Sequence, residues 1–410
     1  MGSRRIEGPR AFCARLSRVP QGITIILAGF LPVFAIISMF PAVPTIIDHF
    51  KNDPTAGWKV PLLVSAPGLS IALMSPFAGV LVDRFGRRRL LLWSTALYGA
   101  AGIAPLFVDT LNEVFVSRLL VGVAEALILT ITNALIGDYW RDEGRRDWLF
   151  LQGIVAPLFS TIALLGVGAV VAVQWNAVFL VYLIAVPIVV AMAAFVFEPT
   201  GDLDDPAVAP DGEGDGPFPW RDVAIGCTVT LFASVLYYVF IINGGMAWSE
   251  VGVTTPQAIS RYTAVPTLFV LLGAFLFRLL GTAANVVQIS MPVLLLGLGL
   301  AVMGLAPDWR MMVAGLTIQQ VGAGMTVISL IAWVSGKLTF RHRGRGVGAF
   351  SSAFFLGQFV NPLIVHQLVK VTGTMQGAFL VMGVIGIASA GVALLLCTSW
   401  RPVPRRPAEL

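Results

Sequence analysis

Twelve long apolar stretches, separated by short polar or charged turns, run along the 410-residue chain. They fall near residues 21–45, 59–82, 90–107, 113–137, 148–172, 177–197, 222–246, 262–281, 285–305, 311–335, 347–369 and 377–398. As helices, runs of about 20 apolar residues cross a hydrocarbon core roughly 30 Å thick, and backbone groups in lipid must bond within their own segment. The pattern therefore predicts an all-α membrane protein with twelve transmembrane helices. The first stretch is longer than a signal-peptide core and leads straight into more membrane, so it is read as a retained helix.

Composition agrees: 57% of residues are hydrophobic and 12% charged, against about 25% charged in soluble domains. Cys13, Cys227 and Cys397 have no metal-ligand spacing and make no disulfide framework. Gly322-Ala323-Gly324 follows no strand and precedes no P-loop lysine, so no nucleotide site is expected. With no metal cluster or catalytic triad in view, the chain is not expected to be an enzyme, and no cofactor is expected beyond a proton as coupling ion.

Charge orders the turns. With both termini on one side, that side receives 21 of the 27 Lys and Arg residues, while the other holds Lys51, Lys59, Arg261, Arg310 and Lys370. The positive-inside rule puts both termini in the cytoplasm. The net charge of +5 follows this orientation and carries no DNA-binding motif, so no nucleic-acid partner is expected. Residues 198–220 hold acids at 198, 202, 204, 205, 211, 213 and 215 and neither Lys nor Arg before Trp220. They read as an acidic cytoplasmic linker between two six-helix bundles, 1–197 and 221–410.

The halves also resemble each other. Five of ten positions match between Phe150-Leu151-Gln152-Gly153-Ile154-Val155-Ala156-Pro157-Leu158-Phe159 and Phe355-Leu356-Gly357-Gln358-Phe359-Val360-Asn361-Pro362-Leu363-Ile364, in spans 5 and 11. Phe179-Leu180-Val181 recurs as Phe379-Leu380-Val381 at the start of spans 6 and 12.

The turn Gly79-Val80-Leu81-Val82-Asp83-Arg84-Phe85-Gly86-Arg87-Arg88-Arg89 resembles the G-x-L-x-D-R-x-G-R-R signature of the major facilitator superfamily of secondary transporters. The resemblance implies the fold of that superfamily: two pseudo-symmetric six-helix bundles around a central cavity, built as parallel repeats. A faded second copy, Gly273-Ala274-Phe275-Leu276-Phe277-Arg278, has Phe277 in the place of Asp83. Small Gly79 and Gly86 suit close helix approach and a tight turn. The resemblance further implies a cytoplasmic latch between the halves, in which Asp83 meets Arg84, Arg87 or Arg88 and Asp138 at the end of helix 4 joins them.

Glu125 is the acid near the centre of a predicted span, and Arg118 lies in the same span. An ionisable group in the membrane costs about 2.5 to 3.5 kcal/mol on insertion scales, so it faces a cavity or a partner. Arg118, Gly122, Glu125, Leu129 and Asn133 form one helical stripe. Burial and a neighbouring cation act on a carboxyl group in opposite senses, which lets conformation set protonation and makes Glu125, modulated by Arg118, the candidate for proton coupling. The segment Arg118 to Ala126 resembles the R-x-x-x-G-x-x-E pattern of helix 4 in organic-anion symporters and spinster-like transporters, which implies coupling and substrate roles for both residues. Helix 1 departs from those groups: Phe34 to Pro44 carries no charge, and its Pro41 and Pro44 are closer to drug-exporter-like members.

In this superfamily helices 1, 4, 7 and 10 line the cavity. Tyr237, Tyr238 and Asn243 on span 7 and Gln319 and Gln320 on span 10 join Asn133 as candidate substrate contacts. The two tyrosines point about 100° apart, so one of them is expected to pack rather than face the cavity. Gln358, Asn361 and His366 on span 11 add polarity or bond between helices. The resulting expectation is a monomeric proton-coupled transporter of the plasma or bacterial inner membrane, in contact with lipid and working by alternating access. It would export an amphipathic small molecule or drug. Proton-linked transport of an organic anion or lysolipid, and a non-transporting sensor or scaffold, stay as alternatives.

Overall fold

A computed structural model describes residues 20–140, 142–171, 174–199, 218–280, 283–338 and 340–396. All regular structure among them is helical. Helices α1 (Pro20–His49), α2 (Ala56–Phe85), α3 (Arg87–Ile103), α4 (Leu111–Tyr139), α5 (Asp142–Val171) and α6 (Ala177–Phe195) form the first half. The second half holds α7 (Trp220–Glu250), α8 (Pro256–Leu279), α9 (Asn285–Gly304), α10 (Trp309–Gly336), α11 (Phe340–Thr372) and α12 (Met375–Leu396). Eleven of these are long and apolar enough to cross a membrane. The twelfth, α3, has 17 residues, the lower limit for a span.

Local chemistry sets the helix ends. Gly86 turns the chain between α2 and α3 at φ 80°, a conformation glycine adopts without steric cost. Thr110 and Glu113 form a reciprocal capping box at the start of α4. The Asp308 carboxylate accepts from the N–H groups of Arg310 and Met311, both at 3.0 Å, and starts α10. Pro41 lies in a short 3₁₀ turn, Phe40–Ala42, that interrupts α1, and α6 opens with a 3₁₀ stretch, Ala177–Ile184.

The halves meet chiefly through two interfaces, α2 on α11 and α5 on α8, and α1 also touches α7. By repeat position α2 corresponds to α8 and α5 to α11, so the two interfaces are one pairing used twice. At the first, a Cβ on Gly68 would stand 2.8 Å from the Phe355 carbonyl oxygen, and Ser352 Oγ donates to the Ala72 carbonyl at 2.8 Å. At the second, Gly168 admits Ser260, and Thr161 Oγ1 donates to Ala264 at 3.4 Å. Gly322 and Gly324 also serve packing: a Cβ on Gly324 would overlap the Val270 carbonyl of α8. Most of the 198–220 linker lies outside the described residues; α7 begins at Trp220.

Candidate functional site

A cavity of about 370 Å³ lies between the halves, walled by α1, α2, α4 to α8, α10 and α11. Its lining is mostly apolar, with Phe40, Phe240, Phe354 and Phe355 among the contributors. The polar lining is sparse, and its two charged groups come from one helix, α4. Arg118 and Glu125 are 1% and 2% exposed and both line the cavity, as seven-residue spacing on one helical face requires. Gly122 between them presses on α2, where a Cβ would come within 2.6 Å of Pro67 Cα.

The two charged groups do not bond to each other. Arg118 is fixed instead by the first half: Nη2 donates to the carbonyls of Gly102 (3.0 Å) and Ala101 (3.4 Å), and Nε to Ser117 Oγ (3.3 Å). Its guanidinium lies over the rings of Tyr182 (4.7 Å) and Phe179 (5.0 Å), a desolvated cation–π arrangement. Arg118 Nη1 and Glu125 Oε1 are buried without a hydrogen-bond partner. A native fold seldom leaves buried polar atoms unpaired without a reason.

Across the cavity stand neutral groups. Tyr237 and Tyr238 both line it, their rings 4.9 Å apart at 77°, and both pack on Phe354. The expectation that one of them merely packs is corrected: the cavity wraps far enough around α7 to meet both. Gln320 and Gln358 also line it.

Other expected cavity residues lie elsewhere. Asn243 Nδ2 donates to Asn361 Oδ1 at 2.9 Å and to Val239 at 3.0 Å, while Asn361 Nδ2 donates to Val235 at 2.7 Å. This buried clasp joins α7 to α11 away from the lining. Gln319, fully buried, donates to the Tyr237 carbonyl at 3.3 Å and packs against Gly299 of α9. Asn133 is exposed and bonds back to Leu129 at 2.9 Å; it too is absent from the lining. His366 is half-buried outside the cavity.

At the end of the molecule that carries the Gly79–Arg89 turn, called here the basic end, the charges bind the first half to itself. Arg87 Nε lies 2.9 Å from Asp138 Oδ2, an ion pair whose N–H is not aligned as a hydrogen bond. Arg88 donates through Nε to Val196 (2.7 Å) and Nη2 to Ala193 (2.9 Å), both in or just after α6. Glu198 accepts the N–H groups of Arg87 (2.7 Å) and Arg88 (2.8 Å) and so caps α3. Beside it, Tyr139 exchanges hydrogen bonds with the backbone of Phe197.

Asp83 and Arg84 are exposed, and Asp83 makes no hydrogen bond or ion pair among the described residues. Among the described residues, therefore, Asp83 makes no half-to-half latch contact. A Cβ on Gly79 would meet nothing within 4 Å, whereas one on Gly273 would overlap the Val321 carbonyl. The faded copy of the signature uses its glycine for close approach, and the intact copy does not. Glu198 was hidden in the sequence, because it read as the first acid of a solvated linker; only its place opposite the α3 amides shows its use.

The profile of the Major Facilitator Superfamily matches residues 25–287 and 249–410. The chain belongs to that superfamily. Among relatives, Multidrug resistance protein 1 of Bacillus subtilis is 28% identical over 147 residues, 36% of this chain and 36% of that protein. Multidrug efflux pump LfrA of Mycolicibacterium smegmatis is 28% identical over 203 residues, 48% of this chain and 37% of the relative. The matched chain thus spans little more than a third of the length of these curated relatives. Solved structures cover nearly all of the superfamily fold. A D-xylose-proton symporter aligns at TM-score 0.74 and 14% identity, covering 94% of this chain and 98% of that one. A bacterial Spinster homologue in an inward-facing, occupied conformation aligns at TM-score 0.70 and 14% identity, covering 94% and 99%. As a facilitator-superfamily member the chain is an integral multi-pass membrane protein.

Proposed function

We propose that this transporter is proton-coupled, works by alternating access and exports an amphipathic small molecule, with Glu125 carrying the proton. The observation that carries the reading is Glu125 itself: 2% exposed, in the cavity wall, with Oε1 unpartnered. A carboxyl group so placed can hold a proton in one state and yield it to a ligand in another. The apolar, aromatic lining suits an amphipath, and the volume of about 370 Å³ falls at the small end of sites for drug-sized ligands. That size favours a compact molecule over a lysolipid. The multidrug relatives named above support export.

The charge distribution supports a cytoplasmic basic end. The halves touch toward the opposite end, where Phe40 and Phe240 lie 5.2 Å apart and Gly245 admits the Phe40 carbonyl. With Asp83 unengaged, this is the arrangement expected when the cavity faces the cytoplasm.

The test is transport by the purified chain in proteoliposomes, with an imposed pH gradient and a panel of fluorescent amphipathic dyes. Gradient-driven accumulation that Glu125→Gln abolishes is the expected result. Normal proton-driven transport by that variant refutes the assignment.

A further inference from the structure

Two residues on one face of α4 line the cavity, and each carries a buried, unsatisfied polar atom, the two of opposite kind. Arg118 Nη1 is a donor and Glu125 Oε1 an acceptor, each buried, each in a residue that lines the same space. Their residues are seven apart, about 10 Å along the helix axis. Arg118 is immobilised: Nε and Nη2 are spent on Ser117, Ala101 and Gly102, and the guanidinium rests against the Tyr182 and Phe179 rings of α6. It cannot swing to Glu125 without giving up these contacts, so neither group serves as the other's partner.

Resting on the reading of Glu125 as the proton carrier, we infer that the transported molecule is bifunctional: a basic amine for Glu125 and a carbonyl or ether oxygen for Arg118 Nη1, set at opposite ends of an aromatic body. The charge balance of the site leads to this class. With Glu125 protonated, the pair carries one net positive charge, that of Arg118. A protonated amine that displaces the proton leaves the same total, because the carboxylate formed offsets the ammonium brought in. The exchange is one ligand cation for one proton, which leaves Glu125 for water. The remaining charge on Arg118 is then solvated by the oxygen at the other end of the ligand, and the body lies against Tyr237, Tyr238 and Phe354.

Groups that bear on Glu125 come from several elements. Arg118 lies on its own helix, and Tyr98 of α3, Tyr182 of α6 and Tyr238 of α7 stand within its electrostatic reach. No Asp, His or Lys lines the cavity among the described residues. No second acid is therefore at hand to take the amine in place of Glu125.

Three probes test this with the full chain in detergent: 6-(dimethylaminomethyl)-2-acetylnaphthalene, its 2-ethyl analogue, which lacks only the carbonyl oxygen, and 2-acetylnaphthalene, which lacks the amine. Affinity is read by titration calorimetry and proton release in weakly buffered solution. Wild type should prefer the acetyl amine over the ethyl amine by about tenfold, the scale of one hydrogen bond to a charged donor. Both amines should release a proton, and 2-acetylnaphthalene none.

In Arg118→Gln the ratio of the two amines should fall close to one, with Arg118→Lys doing the same although it keeps the charge. Thermal melting and gel filtration check that each variant is folded; if Arg118→Gln is not, Arg118→Lys alone decides. Equal affinities in wild type, or a preference that survives in a folded Arg118 variant, overturns the inference. Failure of the proton reading is separate: amine binding without proton release refutes Glu125 as the carrier, whatever the acetyl preference.

Discussion

Two buried polar pairs, one in each half, have opposite fates. Asn243 and Asn361 bond to each other and spend their remaining donors on backbone carbonyls. Arg118 and Glu125 share a helix face, ignore each other and each leave an atom unpaired. By residue type both pairs are candidates for a transport site. Satisfaction separates them: a polar group with all its partners inside the protein holds helices together, and one without them is free to meet a ligand or a proton.

The largest effect should come from Glu125→Gln, which keeps the shape and removes the titration. Proton-driven transport should be lost and the pH dependence of ligand binding flattened, with thermal stability retained, since a neutral amide replaces a neutral, protonated carboxyl group. Transport assays and melting curves on one preparation check both parts.

Asn361→Leu should do the reverse. It removes the Asn243–Asn361 bond and the Asn361 donor to Val235, so stability should fall by about 1 to 3 kcal/mol, seen as a lower melting temperature, while binding of amphipathic probes persists. Loss of binding at unchanged stability would break the comparison.

A second contrast concerns two acids, Glu125 and Glu198. Glu198 is satisfied by two backbone amides at the start of α3. Glu198→Ala should therefore cost about 1 kcal/mol, the worth of a helix cap, and should leave the proton coupling of the transport assay in place. The two signature glycines differ from each other. Gly86→Ala forces a side chain into φ 80° and should cost about 1 to 2 kcal/mol. Gly79→Ala, facing open space, should stay within about 0.5 kcal/mol. A Gly79→Ala variant that transports poorly yet melts normally would point to a second conformation in which that face closes.

The membrane spans were legible because apolar length is a local property: span 2 was expected near 59–82 and the helix runs Ala56–Phe85. Glu125 was legible for the same reason, since a lone acid within an apolar run is costly wherever the run folds. Asn243 and Gln319 were misread because helical depth alone does not say whether a side chain faces the cavity or a neighbouring helix. Tyr237 and Tyr238 show the converse, with two adjacent rings reached by a cavity wider than one helical face.

By itself the chain determined its class, its twelve helices, its repeat and the identity of its buried charges, because hydrophobic length, charge bias and motif spacing act along the sequence. The tertiary structure decided which polar atoms find partners. It spent the Asn243–Asn361 pair and Glu198 on holding helices in place, left Arg118 Nη1 and Glu125 Oε1 open, and turned the signature charges toward Asp138 and the end of α6. Those outcomes depend on which helices become neighbours, and hydrogen bonds and ion pairs, being short-ranged and directional, register only that.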